Sequence, residues 1–138
     1  VAEQLQVRFR VDFGNQCSVG IGKIELLEGI AKTGSLSQAA RCMGMSYRRA
    51  WLLLADMNDS FDQRVAETMT GGTGGGGAVL TPFGERLIAG YRKLESSLKP
   101  LADRCLDDVG KKVIGNRSTR ASSARFNRSG RKRKALPG

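Results

Sequence analysis

Apolar residues recur along this chain in two different periods, and each change of period marks a new element. In LQVRFRVDF, apolar Leu5, Val7, Phe9 and Val11 alternate with polar Gln6, Arg8, Arg10 and Asp12, the pattern of a half-buried strand. A lone strand is unstable, so this one is expected to pair with a later hairpin or, failing that, with a partner subunit. Gly14, Gly20 and Gly22 mark the connection that follows, and Ile24, Leu27, Ile30 and Ala31 then form the inner face of a first helix that Gly34 ends. Residues 30–58 predict two short helices around a Gly-containing turn, a helix-turn-helix. Ser35 with Gln38 has the form of a capping box, opening a helix through Ala39, Ala40 and Met43 that Gly44 stops. Ser46 caps the next helix, in which Ala50, Leu53, Leu54, Met57 and Phe61 repeat at the spacing of one buried face. Ala39 and Ala40 supply the small side chains that two crossing helices need.

The outer face of that second helix follows from about 100° per residue. With Ala50 at the centre of the buried face, Arg48 points about 160° away, Arg49 and Trp51 about 100° to either side, and Tyr47 lies about 60° off on the flank. An outward arginine near a helix start suits guanine edges or phosphate, and a flanking tyrosine hydroxyl can reach phosphate. The bland alternative is a solvated helix start. Cations at a helix N-terminus oppose its dipole, so the pair calls for some other use. Trp51 is left open between packing and contact.

Residues 65–69 and 78–81 read as two strands of a hairpin, joined by a run of six glycines and Thr73 in residues 71–77. The run ends Gly-Ala-Val, without the Gly-Lys-Ser/Thr of a Walker loop, so nucleotide binding is not indicated. Its amides either approach a DNA phosphate or merely flex, and Arg64 at the hairpin base is a further phosphate candidate. Thr81 as cap and Pro82 in the first turn then open a long helix. Leu87, Tyr91, Leu94, Leu98, Leu101 and Cys105 form a heptad seam along it, the candidate dimerisation surface, with packing on the chain's own core as the alternative. Pro100 falls inside the seam, which continues in phase across it, so a kink is expected there and not a stop.

The strings TGSLSQAARCMGMSYRRAWLLLADMN and TGGTGGGGAVLTPFGERLIAGYRKLE together resemble the DNA-binding domain of the molybdate-responsive ModE regulators, distantly similar to LysR-type domains. The similarity spans about residues 5–108, and MGMSYRRAW and GGGGAVLTPFG are its most specific parts. It implies an α+β, mostly α, winged helix-turn-helix with a long C-terminal dimerisation helix, binding a two-fold symmetric operator as a homodimer. Ser46, Tyr47, Arg48 and Arg49 would then lie on the recognition helix, and residues 71–77 at the wing tip. Full-length members of that family carry C-terminal molybdate-binding barrels, whereas here a Gly- and Ser-containing segment of about thirty residues, ten of them Lys or Arg, follows the last helix. Molybdate sensing is therefore not carried over, and a separate ligand-sensing partner is left open.

Charge changes the picture of how DNA would be held. Residues 110–138 contain 10 of the 23 Lys and Arg and none of the 13 Asp and Glu, so the +10 excess sits wholly in the tail and the body is neutral. A neutral body must use locally placed cations. With 40% hydrophobic residues, 138 residues suffice for one compact domain, expected over 1–109, followed by a disordered basic tail over 110–138. The tail's Arg131, Lys132, Arg133 and Lys134 are a candidate non-specific DNA tether, or a solubility device. Cys17, Cys42 and Cys105 lack any CxxC pairing, so buried free thiols are expected and neither a zinc site nor disulfides. The absence of histidine removes the commonest general base. Without a signal peptide or apolar span, a cytoplasmic protein without membrane, metal or cofactor is expected. The candidate DNA contacts are thus Ser35, Ser37, Ser46, Tyr47, Arg48, Arg49, Arg64, Thr73 and residues 131–134. A protein-binding adaptor using the same fold is the alternative function; an enzyme built on Asp56, Asp59 and Asp62 is the weaker one, since those carboxylates read as a solvated face.

Overall fold

The computed structural model describes residues 5–69 and 77–114, so Thr73 and residues 131–134 lie outside the described residues. In chain order the elements are β1 (Arg10–Phe13), β2 (Cys17–Gly20), α1 (Ile21–Thr33), α2 (Leu36–Cys42), α3 (Tyr47–Ser60), β3 (Ala66–Thr68), β4 (Ala78–Leu80) and α4 (Pro82–Gly110). Two antiparallel hairpins, β1 with β2 and β3 with β4, flank a helical body, which is the expected mostly α winged helix-turn-helix with a long last helix. The described residues fall into two units: 6–101 as one, and Leu5 with 102–114 as the other. In the second of these, a side chain at Gly110 would meet Leu5, and Lys111 pairs with Asp107 at 3.3 Å.

α1 is the central helix because it carries apolar residues on more than one side. Leu26, Leu27 and Ile30 pack with Leu36, Ala39, Ala40, Ala50, Leu54 and Met57 of α2 and α3 and with Val65, Ala66 and Ala78 of the wing. Ile24 turns the other way, toward Cys17, Val19 and Tyr91. Leu26 escaped the single-face pattern for this reason, and Ala31, expected on the inner face, is exposed. Where α1 crosses α2, a side-chain carbon at Gly29 would come 3.0 Å from the Ala39 methyl, so the close approach uses Gly29 as well as the two alanines.

The first strand is corrected. It is confined to Arg10–Phe13 and pairs not with the wing but with Cys17–Gly20, a strand that its glycine-flanked sequence had hidden within the connection. The alternation is real: Cys17 and Val19 are buried and Ser18 and Gly20 partly so. Phe9, just before β1, stacks on Tyr91 at 4.5 Å between ring centroids, and the Tyr91 hydroxyl donates to the Phe9 carbonyl at 2.8 Å. Burial, reinforced by nearby Glu95, pushes the Tyr91 phenol above its ordinary pKa.

The thiols are also corrected in part: Cys17 is buried, whereas Cys42 and Cys105 are exposed, and all three are free. Asp56 is held by Lys23, which also donates to the Ser18 carbonyl at 2.7 Å, so this carboxylate ties α3 to α1. Among the described residues no group of three or more His, Cys, Asp or Glu could hold a metal ion, and no helix is long and apolar enough to cross a membrane. α4 does not stop at Pro100. Arg92 of α4 grips Glu28 of α1 through two hydrogen bonds of 2.9 and 2.7 Å and Glu95 through a third of 2.8 Å. Those bonds raise its pKa. The fork locks α4 onto the central helix with the planar geometry that suits arginine to carboxylates.

Candidate nucleic-acid interface

The helix-turn-helix is set by its caps. Gly34 closes α1 in the left-handed region (φ 71°), its amide donating to the Ile30 carbonyl at 2.8 Å. Ser35 Oγ accepts from the Gln38 amide at 3.2 Å, one half of the expected capping box; the Ser35 amide is satisfied instead by Thr33 Oγ1 at 3.2 Å. Gly44 (φ 67°) makes the turn, with the Met45 amide donating to the Ala40 carbonyl at 3.0 Å. Ser46 Oγ then accepts from the Arg49 amide at 3.1 Å and starts α3. Each cap satisfies a donor that a helix start leaves orphaned.

Three clamps place the wing against these helices. The Gly34 carbonyl accepts from the Ala78 amide at 2.9 Å, which joins β4 to the end of α1. Asn58 of α3 accepts from the Val65 amide at 2.7 Å and the Ala66 amide at 3.4 Å through Oδ1, and donates from Nδ2 to the Ala66 carbonyl at 3.2 Å. At the base, Thr81 donates its amide to the Val65 carbonyl at 3.0 Å, while its Oγ1 accepts from the Gly84 amide at 3.0 Å and caps α4 as expected. Sequence pattern did not expose the role of Asn58, because an amide near a helix end has many local uses.

The outer face of α3 carries Tyr47, Arg48, Arg49, Trp51 and Leu52, all exposed. Neither Arg48 nor Arg49 has an ion-pair partner among the described residues. The first turn of α3 holds no acid, so the two guanidiniums meet the positive end of the helix dipole uncompensated, a cost of about 0.3–1 kcal/mol each. Arg41 on α2 is exposed and equally unpaired. Ser37 is exposed, while Ser35 and Ser46 are engaged as caps. Arg64, exposed at the wing base, lies 3.5 Å from Glu67, so its charge is partly matched. It helps line a cleft of about 180 Å³ with Trp51, Asn58, Asp59 and Thr68.

The seam along α4 divides. Tyr91 is buried against Phe9 and the first hairpin, and Leu87 is partly buried within the same core. Leu94 and Leu101 are exposed and Leu98 half-buried. Cys105, further along, is exposed. Leu52 was missed in the sequence, although the same 100° rule that turns Arg48 outward puts Leu52 opposite Ala50; Trp51, left open there, is half exposed at the flank.

Comparison with known proteins agrees with this geometry. Residues 21–85 match the family model for bacterial regulatory helix-turn-helix proteins of the lysR family. The Yersinia pestis transcriptional regulator ModE is 45% identical over 86 residues, which is 62% of this chain and 33% of that protein. The Rhodobacter capsulatus molybdenum-pterin-binding protein MopB is 45% identical over 83 residues, 60% of this chain and 31% of the relative. The Azotobacter vinelandii molybdenum transport protein ModE is 33% identical over 115 residues, 83% of this chain and 43% of the relative. The chain thus spans about a third of the length of the first two relatives. The resemblance carried by MGMSYRRAW and GGGGAVLTPFG is borne out, and these matches support a ModE-type DNA-binding domain in this chain.

Proposed function

We propose, with a ModE-type DNA-binding domain as the premise, that the protein is a sequence-specific transcription regulator that acts as a homodimer on double-stranded DNA in the cytoplasm. The observation that carries this reading is the pair of exposed guanidiniums, without ion-pair partners among the described residues, in the first turn of a capped helix, where they work against local stability. Arg48 faces guanine edges in the major groove, Arg49 and Tyr47 meet the flanking phosphates, and Ser37 and Arg64 extend the backbone contacts. Leu94, Leu98 and Leu101 form the part of the α4 seam open to a second copy, and the two recognition helices then enter half-sites about one helical turn, roughly 34 Å, apart or a multiple of that.

Sites selected from randomised DNA provide the test. Arg48→Ala is expected to relax base preference at one position of the half-site and to cost about 1–3 kcal/mol of specific binding. Equal losses on selected and random DNA would make Arg48 a phosphate contact instead. Removal of residues 110–138 is expected to weaken binding to all sequences and to flatten its salt dependence, since each phosphate neutralised contributes about 0.9 log units per log unit of salt. An unchanged slope in a titration from low to moderate salt would mean that the basic segment does not touch DNA. Failure of the whole protein to retain any duplex at low salt, where charge attraction is strongest, would favour a protein-binding adaptor.

A further inference from the structure

The outer face of α3 is not uniformly polar, as a helix that met only water would be. Beside Arg48 it exposes Trp51 at 50% and Leu52 at 49%, with small Ala55 next along the same face. About 100° per residue puts Arg48 and Leu52 about 20° to either side of the pole opposite Ala50, and Ala55 about 40° from it. Large apolar side chains left exposed on such a pole forgo the favourable free energy of burial unless something apolar covers them. Arg48 and Arg49 in the first turn of the same helix, like Arg41 on α2, are exposed and lack acidic partners among the described residues, so the occupant must combine apolar groups with dense negative charge. A DNA major groove does so through the 5-methyl groups of thymine on its floor and the phosphates on its walls.

We infer that Leu52, flanked by Trp51, reads thymine methyl groups in the half-site, next to the guanine faced by Arg48. This rests on the DNA-binding reading and sharpens it to a base preference. Four residues of helix separate Arg48 from Leu52, a rise of about 6 Å, which places the thymine about two base-pair steps from that guanine. One turn beyond Ala55 the same face carries exposed Asp59, whose carboxylate repels phosphate. The helix therefore enters the groove by its first two turns, and Leu52 sits at the inner limit of the part that enters.

The test uses the tightest duplex recovered from randomised DNA, resynthesised with uracil in place of every thymine, which deletes only the methyl groups. Each methyl contacted is expected to contribute about four-fold in affinity, so a symmetric site with one contact per half-site should bind the whole protein roughly ten-fold or more weakly when it carries uracil. Leu52→Ser should still bind DNA through its arginines and discriminate the two duplexes less than about three-fold, with circular dichroism confirming an unchanged fold. Equal binding of both duplexes by the unaltered protein, or a selected site without thymine near the guanine, would overturn the inference while leaving DNA binding intact; the apolar face would then be free for a protein. Undiminished discrimination by Leu52→Ser would overturn it too, since the methyl effect would then act through DNA shape. Loss of all duplex binding by the unaltered protein would sink the DNA-binding reading itself.

Discussion

Gly84→Ala should unfold the protein or leave it barely stable, although alanine is ordinarily the better residue inside a helix by about 1 kcal/mol. A β-carbon at Gly84 would stand 2.0 Å from the Val65 carbonyl oxygen and 3.0 Å from its carbon. The obstacle is backbone, so no rotamer change relieves it. Nor can that backbone retreat cheaply, because the same carbonyl accepts from the Thr81 amide and the Val65 amide is held by Asn58. Val65 itself is fully buried in the core shared by α1, α2 and α3. Overpacking against yielding side chains costs about 1–3 kcal/mol, and a rigid clash of this depth should reach about 4 kcal/mol or more, a large share of the stability of a small domain. Gly90 provides the control with the opposite sign. It lies in the same helix with nothing within 4 Å of its β-carbon position, so Gly90→Ala should stabilise by about 0.5–1 kcal/mol. Urea unfolding of the two variants side by side would decide: comparable midpoints would mean that the start of α4 does not bear on Val65 as described.

Asn58→Ala should cost about 3 kcal/mol and loosen the wing without disturbing the helices. The amide side chain serves two backbone donors and one backbone acceptor at the start of β3. Removing it leaves the amide of buried Val65 without its partner, and each buried donor so orphaned costs about 1–3 kcal/mol. The loss should be local. Hydrogen exchange at Val65 and Ala66 is expected to accelerate well beyond the change at Leu27 or Ile30, and DNA binding should weaken because the wing no longer keeps a fixed angle to α3. Asn58→Asp is expected to fall short of full rescue, since its second oxygen would face the Ala66 carbonyl where the native amide donates. Uniform acceleration across the core would show instead that Asn58 supports global stability and not the wing in particular.

Both residues were silent in the sequence, and the contrast with those that spoke is physical. Caps were legible because Ser35 and Ser46 act on amides three residues away, within one turn. The outward turn of Arg48 was legible because helical period alone sets it once Ala50 is buried. Even Gly44 could be placed, since its left-handed backbone is a local demand of the turn. By contrast, the partner of the first strand was misjudged because pairing is chosen by what lies beside a strand in space, and Cys17–Gly20 offered few of the usual strand residues. Tyr91 kept perfect heptad phase with Leu94 and Leu98, yet its ring is buried under Phe9 by a segment more than eighty residues away.

Local order, then, was the sequence's own contribution: helix boundaries, the turn, the basic start of α3 and the unequal distribution of charge follow from interactions that span at most one or two turns of chain. Tertiary structure alone decided which apolar faces remain open, which carboxylates are engaged by Lys23 and Arg92, and why Gly84 admits no side chain. Those outcomes depend on which surfaces meet when distant segments pack, and a one-dimensional pattern records that a face is apolar without recording what covers it.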